Sequence, residues 1–146
     1  MKRHNWLPGF LAALVLAVLA ATVARAQTKP KPLKTLTEWR GSVADLTLQG
    51  AAPAGGVITS KKALEDLWKA WKPSDKVPEI DFTKEVVLIA VSRGSRLNLS
   101  ATLDDKGNLQ PLALATRDLR PGFRFHIIKV NREGIQTVNG KPLPKD

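Results

Sequence analysis

Six consecutive apolar residues, Val86-Val87-Leu88-Ile89-Ala90-Val91, set the strongest constraint on how this chain folds. β-Branched residues favour extended backbone, and successive strand residues face opposite ways. A run that is apolar on both parities therefore needs cover on both faces, as in a central strand between two layers. The neighbouring segments alternate instead. Leu97, Leu99, Ala101 and Leu103 interleave with Arg96, Asn98, Ser100 and Thr102, the pattern of a strand with one wet face. Asp104 to Asn108 is turn chemistry, and Leu109 to Ala115 is expected to return antiparallel. Over Phe123 to Val130, Phe123, Phe125 and Ile127 share one face, while Ile128 and Val130 share the other with Arg124 and His126. Ser42–Gln49 and Ile135–Val138 read as further strands, and Pro142 and Pro144 keep the tail from being a central strand.

One segment has helical period. Ala63, Leu64, Leu67, Trp68 and Trp71 form a stripe within Ser60 to Lys72, with Thr59 or Ser60 as N-cap and Pro73 as the stop. Glu65 precedes Lys69 by four residues, the favourable order for a helical ion pair. The stripe places both tryptophans in a core rather than on a binding platform. The fold class is thus α+β: one amphipathic helix packed on a mostly antiparallel sheet of about five or six strands.

Ahead of this lies an export signal. Lys2 and Arg3 precede an apolar run from Phe10 to Ala24, and Ala24-Arg25-Ala26 offers small residues at a peptidase site. The run is short for a membrane span. Residues 1–26 are expected to be a signal peptide cleaved after Ala26, with an uncleaved anchor as the alternative. The mature form is expected not to span a membrane and to act in the periplasm or outside the cell. Residues 27–37 read as an extended, mobile Lys/Pro linker, and residues 38–146 as one domain. The leader holds Lys2, Arg3 and Arg25, and all 13 acidic residues follow it, so cleavage takes the net charge from +10 to +7.

Most catalytic chemistry lacks its residues. With no cysteine there is no thiol nucleophile, thiolate metal site or disulfide. His126 is the one histidine beyond the leader, and no Gly-x-Ser-x-Gly elbow accompanies it. Gly55-Gly56 is not a nucleotide loop, and Asp104-Asp105 lacks the spaced ligands of a calcium loop. Asp81 and Glu85 flank a loop-to-strand entry, where Asp commonly bonds its own backbone. The expectation is no enzyme, no catalytic residue, no cofactor and no metal.

The charge pattern is more informative. Arg93, Arg96, Arg117 and Arg120 fall in loops after expected strands. If those loops share one end of the sheet, four guanidinium groups converge to grip carboxylates or phosphates; otherwise they are scattered solvated charges. Without tyrosine, and with most aromatics on core periodicities, specific nucleic-acid recognition is not expected.

Val57-Ile58-Thr59-Ser60, Leu64, Leu67-Trp68, Ile80-Asp81-Phe82 and Glu85-Val86-Val87-Leu88, with the ending His126-Ile127-Ile128-Lys129-Val130, are similar to the carboxy-terminal domain of PrcB-type accessory subunits of secreted protease complexes. The resemblance covers roughly Gly56 to Arg132. It implies a non-catalytic exported domain whose partner is another exported protein. The family's Gly-Gly-aromatic segment after the central strand is replaced by Ser92 to Asn98, where only Gly94 matches. A polyanion-binding module using the arginine loops is the alternative expectation.

Overall fold

A computed structural model describes residues 28–144, so the export segment expected over 1–26 lies outside the described residues. The elements are β1 (Lys31–Pro32), β2 (Thr35–Val43), a 3-10 helix (Leu46–Ala51), β3 (Val57–Ile58), α1 (Lys61–Trp71), β4 (Glu85–Ser92), β5 (Leu97–Leu103), β6 (Asn108–Ala115), β7 (Phe123–Asn131), β8 (Thr137–Val138) and β9 (Lys141–Pro142). The fold is α+β, and its pairings are antiparallel except where β6 runs parallel to β8.

The strands divide between two sheets, ordered β2-β7-β4-β3 and β1-β5-β6-β8-β9. The four-stranded sheet is the middle layer, which is what the unbroken run in β4 requires. Val87 and Ile89 face α1 together with Phe123, Phe125 and Ile127 of β7. Val86, Leu88 and Ala90 face the second sheet with Ile128 and Val130, against Leu97, Leu99, Ala101 and Leu109. The alternation in β5 and β7 thus sorts their residues as the sequence indicates.

Helix α1 is closed at both ends. The Ser60 hydroxyl accepts from the Ala63 N–H at 3.3 Å, and Lys72 turns left-handed at φ 50° with its N–H on the Trp68 carbonyl. Trp68 meets Trp39 edge-on at 5.4 Å, and Trp71 stacks on Phe125 at 5.6 Å. The charged face pairs Lys61 with Glu65 and Lys62 with Asp66 rather than Glu65 with Lys69. All four side chains are more than half exposed, so either pairing contributes little.

Two segments differ from their sequence reading. Ser42–Gln49 is not a strand: β2 ends at Val43 and a 3-10 helix follows. The Asp45 carboxylate accepts from both the N–H and the hydroxyl of Thr47, and this local cap outcompetes extension. The Lys/Pro stretch is extended but paired rather than a mobile linker. Lys31 and Pro32 lie opposite Leu103 and Thr102, the Leu33 N–H reaches the Ala101 carbonyl, and Thr35–Thr37 already belong to β2. β1 is an outer strand, where a proline's missing N–H costs no ladder bond. Among the described residues, no helix is long and apolar enough to cross a membrane.

Candidate functional site: an arginine-rimmed cleft

The registers bring several strand ends together. Val43 of β2 lies opposite Phe123, Ser92 of β4 opposite Arg124, and Leu97 of β5 opposite Ala115 of β6. The β4–β5 loop (93–96) and the β6–β7 loop (116–122) therefore leave the same end of the layers. They are also bonded to each other. The Arg120 N–H donates to the Arg93 carbonyl at 2.9 Å, and the Thr116 N–H donates to the Arg96 carbonyl at 3.1 Å. Gly94 lets them approach closely, since a Cβ there would sit 2.2 Å from the Thr116 carbonyl oxygen. Any larger residue would push the loops apart.

Asp118 is the clasp. One carboxylate oxygen accepts from the Ser95 N–H and hydroxyl at 2.9 and 3.0 Å, and the other accepts from Arg120 Nε at 2.9 Å. These donors, the Ser95 N–H foremost, hold its pKa well below the usual carboxylate range. Asp118→Ala is expected to loosen both loops while leaving the core intact. The check is hydrogen exchange of the Arg120 amide, which should speed up while that of the amides in β4 and β7 does not change.

All four loop arginines thus sit at one end, with different freedom. The Arg120 guanidinium is held by Asp118, whereas Arg93, Arg96 and Arg117 are exposed and have no ion pair among the described residues. Arg40 and Arg124, which the sequence did not single out, join them. Arg40 pairs with His126 in register, so both face the second sheet; Arg124 lies two residues along β7 on the same face. There a cleft of about 570 Å³ is lined by Arg40, Arg96, Arg124, Leu97, Leu114 and Ala115, among others. Arg40 donates to the Leu97 carbonyl and the Asn98 side chain, each at 3.1 Å, and pairs with Glu38. Six of the seven arginines among the described residues belong to this end; Arg132 reaches the Phe82 carbonyl beyond the far end of β7. The alternation in β7 was the one sequence signal for Arg124. Arg40 had none, because its place depends on the β2–β7 register.

His126 lies behind the cleft, 1 % exposed. The Leu99 N–H donates to its Nδ1 at 2.7 Å, so the ring proton resides on Nε2, 3.0 Å from the Glu38 carboxylate. Burial lowers its pKa, and the Arg40 and His126 hydrogen bonds lower that of Glu38. Both ring nitrogens are thus committed: Nδ1 joins β7 to β5 of the second sheet, and Nε2 joins it to β2 within its own sheet. Asp81 bonds the Thr83 N–H and Glu85 bonds the Asp81 N–H, the turn roles their positions suggested. Among the described residues, no group of three or more His, Cys, Asp or Glu is placed to hold a metal ion.

Compared with protein-family models, curated proteins and solved structures, the chain matches none of them.

Proposed function

We propose that this chain is an exported, non-catalytic protein-binding domain that takes an acidic segment of another exported protein at its arginine-bearing end. The observation that carries the reading is the gathering of Arg40, Arg93, Arg96, Arg117, Arg120 and Arg124 around one cleft and its bounding loops. A guanidinium fork matches a carboxylate bidentately, which a lysine does not. Leu97, Leu114 and Ala115 give the cleft an apolar wall, which favours a polypeptide with mixed side chains over a bare polyanion. The n-region, apolar run and Ala24-Arg25-Ala26 exit support export. The likeness to PrcB-type accessory domains supports an accessory role beside a secreted protease.

The test is retention of a partner from the source organism's native envelope extract at about 50 mM and about 300 mM salt, a range over which screening and counterion release act strongly. The reading expects one stoichiometric protein at both salts. Arg96→Ala with Arg117→Ala should weaken its binding roughly tenfold per arginine, the scale of a lost charge-assisted hydrogen bond. Retention unchanged by the double variant would contradict it. Polyanion binding is a second reading, favoured by the same loop arginines. It expects glycan or nucleic acid that is lost steeply as salt rises, and its site fails if Arg117→Ala with Arg120→Ala leaves affinity unchanged.

A further inference from the structure

Among the described residues, the outer edge of β6 is unpaired over most of its length. β6 pairs with β5 all the way to Ala115, but with β8 only at Asn108 and Leu109. The bonds fix which groups face outward. Asp104 bonds Asn108, and Thr116 bonds Arg96, so the even-numbered residues of β6 bond β5. The odd-numbered ones point the other way, as the Asn139 N–H on the Leu109 carbonyl confirms. Beyond that contact the Pro111 carbonyl and both backbone groups of Ala113 and Ala115 face an empty edge. Pro111 has no N–H to leave unpaired, the position a proline tolerates in an outer strand.

The side chains along this edge suit a guest strand. Leu112 and Leu114, 53 % and 60 % exposed, stand on the outer face beside Ser100 and Asn98. Arg117 follows Ala115 by two residues and Arg96 lies opposite Thr116, both exposed and without an ion pair among the described residues. We infer that β6 is extended by a strand from the partner, carrying apolar residues at alternate positions beside Leu112 and Leu114 and a carboxylate at the end nearest Arg117. This rests on the protein-binding reading and names how the partner docks. Backbone bonds at Ala113 and Ala115 supply the pairing, and the arginines select an acidic segment. A second copy fits less well. In a symmetric antiparallel pair about Ala113, Pro111 would face Ala115 and offer it no N–H, and the copy would bring arginines rather than carboxylates.

The probe is the blocked peptide acetyl-Glu-Val-Thr-Val-Thr-amide, followed by amide hydrogen exchange of the purified protein. At saturation, exchange at Ala113 and Ala115 is expected to slow at least roughly tenfold, as for amides drawn into a ladder. Ala113→Pro removes one outward N–H without touching the β5 bonds, as Pro111 does naturally. It should keep the thermal midpoint and lose both the peptide and the salt-resistant partner. Leu112→Thr with Leu114→Thr should weaken both while leaving the backbone free to pair. Absence of protection at Ala113 and Ala115 overturns strand addition. A partner that stays on Ala113→Pro but leaves Arg96→Ala with Arg117→Ala overturns strand addition and spares the protein-binding reading. A partner indifferent to both variants removes both proposals. Partner-free dimerisation in sedimentation, abolished by Ala113→Pro, assigns the edge to a second copy and overturns the inference.

Discussion

Trp71→Ala is expected to lower unfolding stability by about 3–5 kcal/mol, the range for emptying a buried indole site. Trp71 is 5 % exposed, stacks on Phe125 and meets Phe123 edge-on at 5.2 Å. Its Nε1–H donates to the Leu48 carbonyl at 2.7 Å, which ties the 3-10 helix to α1. The substitution removes the ring and that donor together, and neighbours anchored in a sheet collapse poorly into the space. Trp71→Phe keeps a six-membered ring in the site but loses the donor and the rest of the indole, so a smaller loss of about 1–3 kcal/mol is expected. Urea unfolding of the three proteins checks both values. Against a typical total stability of about 5–15 kcal/mol, the larger loss is a substantial fraction of the whole. A loss below about 1 kcal/mol for the alanine variant would mean that α1 does not pack on β7.

The second large effect is at His126. His126→Ala is expected to cost about 2–4 kcal/mol, because it leaves a cavity between the sheets and strands the Leu99 N–H. The same geometry makes stability depend on pH. Burial disfavours the charged ring and outweighs the Glu38 hydrogen bond that favours it; Arg40 and the Leu99 N–H facing Nδ1 disfavour the charge further. Its folded-state pKa therefore lies below the ordinary 6.5. The unfolded chain takes up the proton first, so the stabilisation is complete above about pH 6.5 and declines on acidification toward the lower folded value. The slope contributed by this one group cannot exceed about 1.4 kcal/mol per pH unit. Carboxylates with lowered pKa, such as Glu38 and Asp118, act in a lower window, below their ordinary values of 4.5 and 3.8. Unfolding curves of wild type and His126→Ala between pH 7.5 and 5 (a range set by the ordinary histidine value) separate the two. The wild-type curve should fall faster, and parallel curves would contradict the buried neutral histidine.

Where periodicity alone determined the outcome, the sequence was legible. The β4 run required two covering layers and received them, and β7 placed Phe123, Phe125 and Ile127 on one face and His126 with Ile128 on the other. What periodicity cannot carry is pairing. The division into two sheets, the parallel β6–β8 contact and the register that sets Arg40 beside His126 are long-range facts with no local signal. Leu46 and Leu48 alternated like strand residues, yet a single Asp45 cap redirected them. Likewise Leu112 to Ala115 of β6 is apolar on both parities, and its exposed leucines are informative only once the edge beside them is seen to be unpaired among the described residues. The four loop arginines were visible from the start. That their loops meet depends on Gly94 and Asp118, whose partners lie more than twenty residues away in sequence.

The central claim is that the arginine-bearing end is a protein-docking surface, and a hydrogen-exchange footprint of the protein with its retained partner tests it most directly. Protection is expected in the 93–96 and 116–122 loops and along Leu112 to Ala115, with none on the charged face of α1. Protection confined to α1 or to β9, with the arginine loops unchanged, would contradict the account.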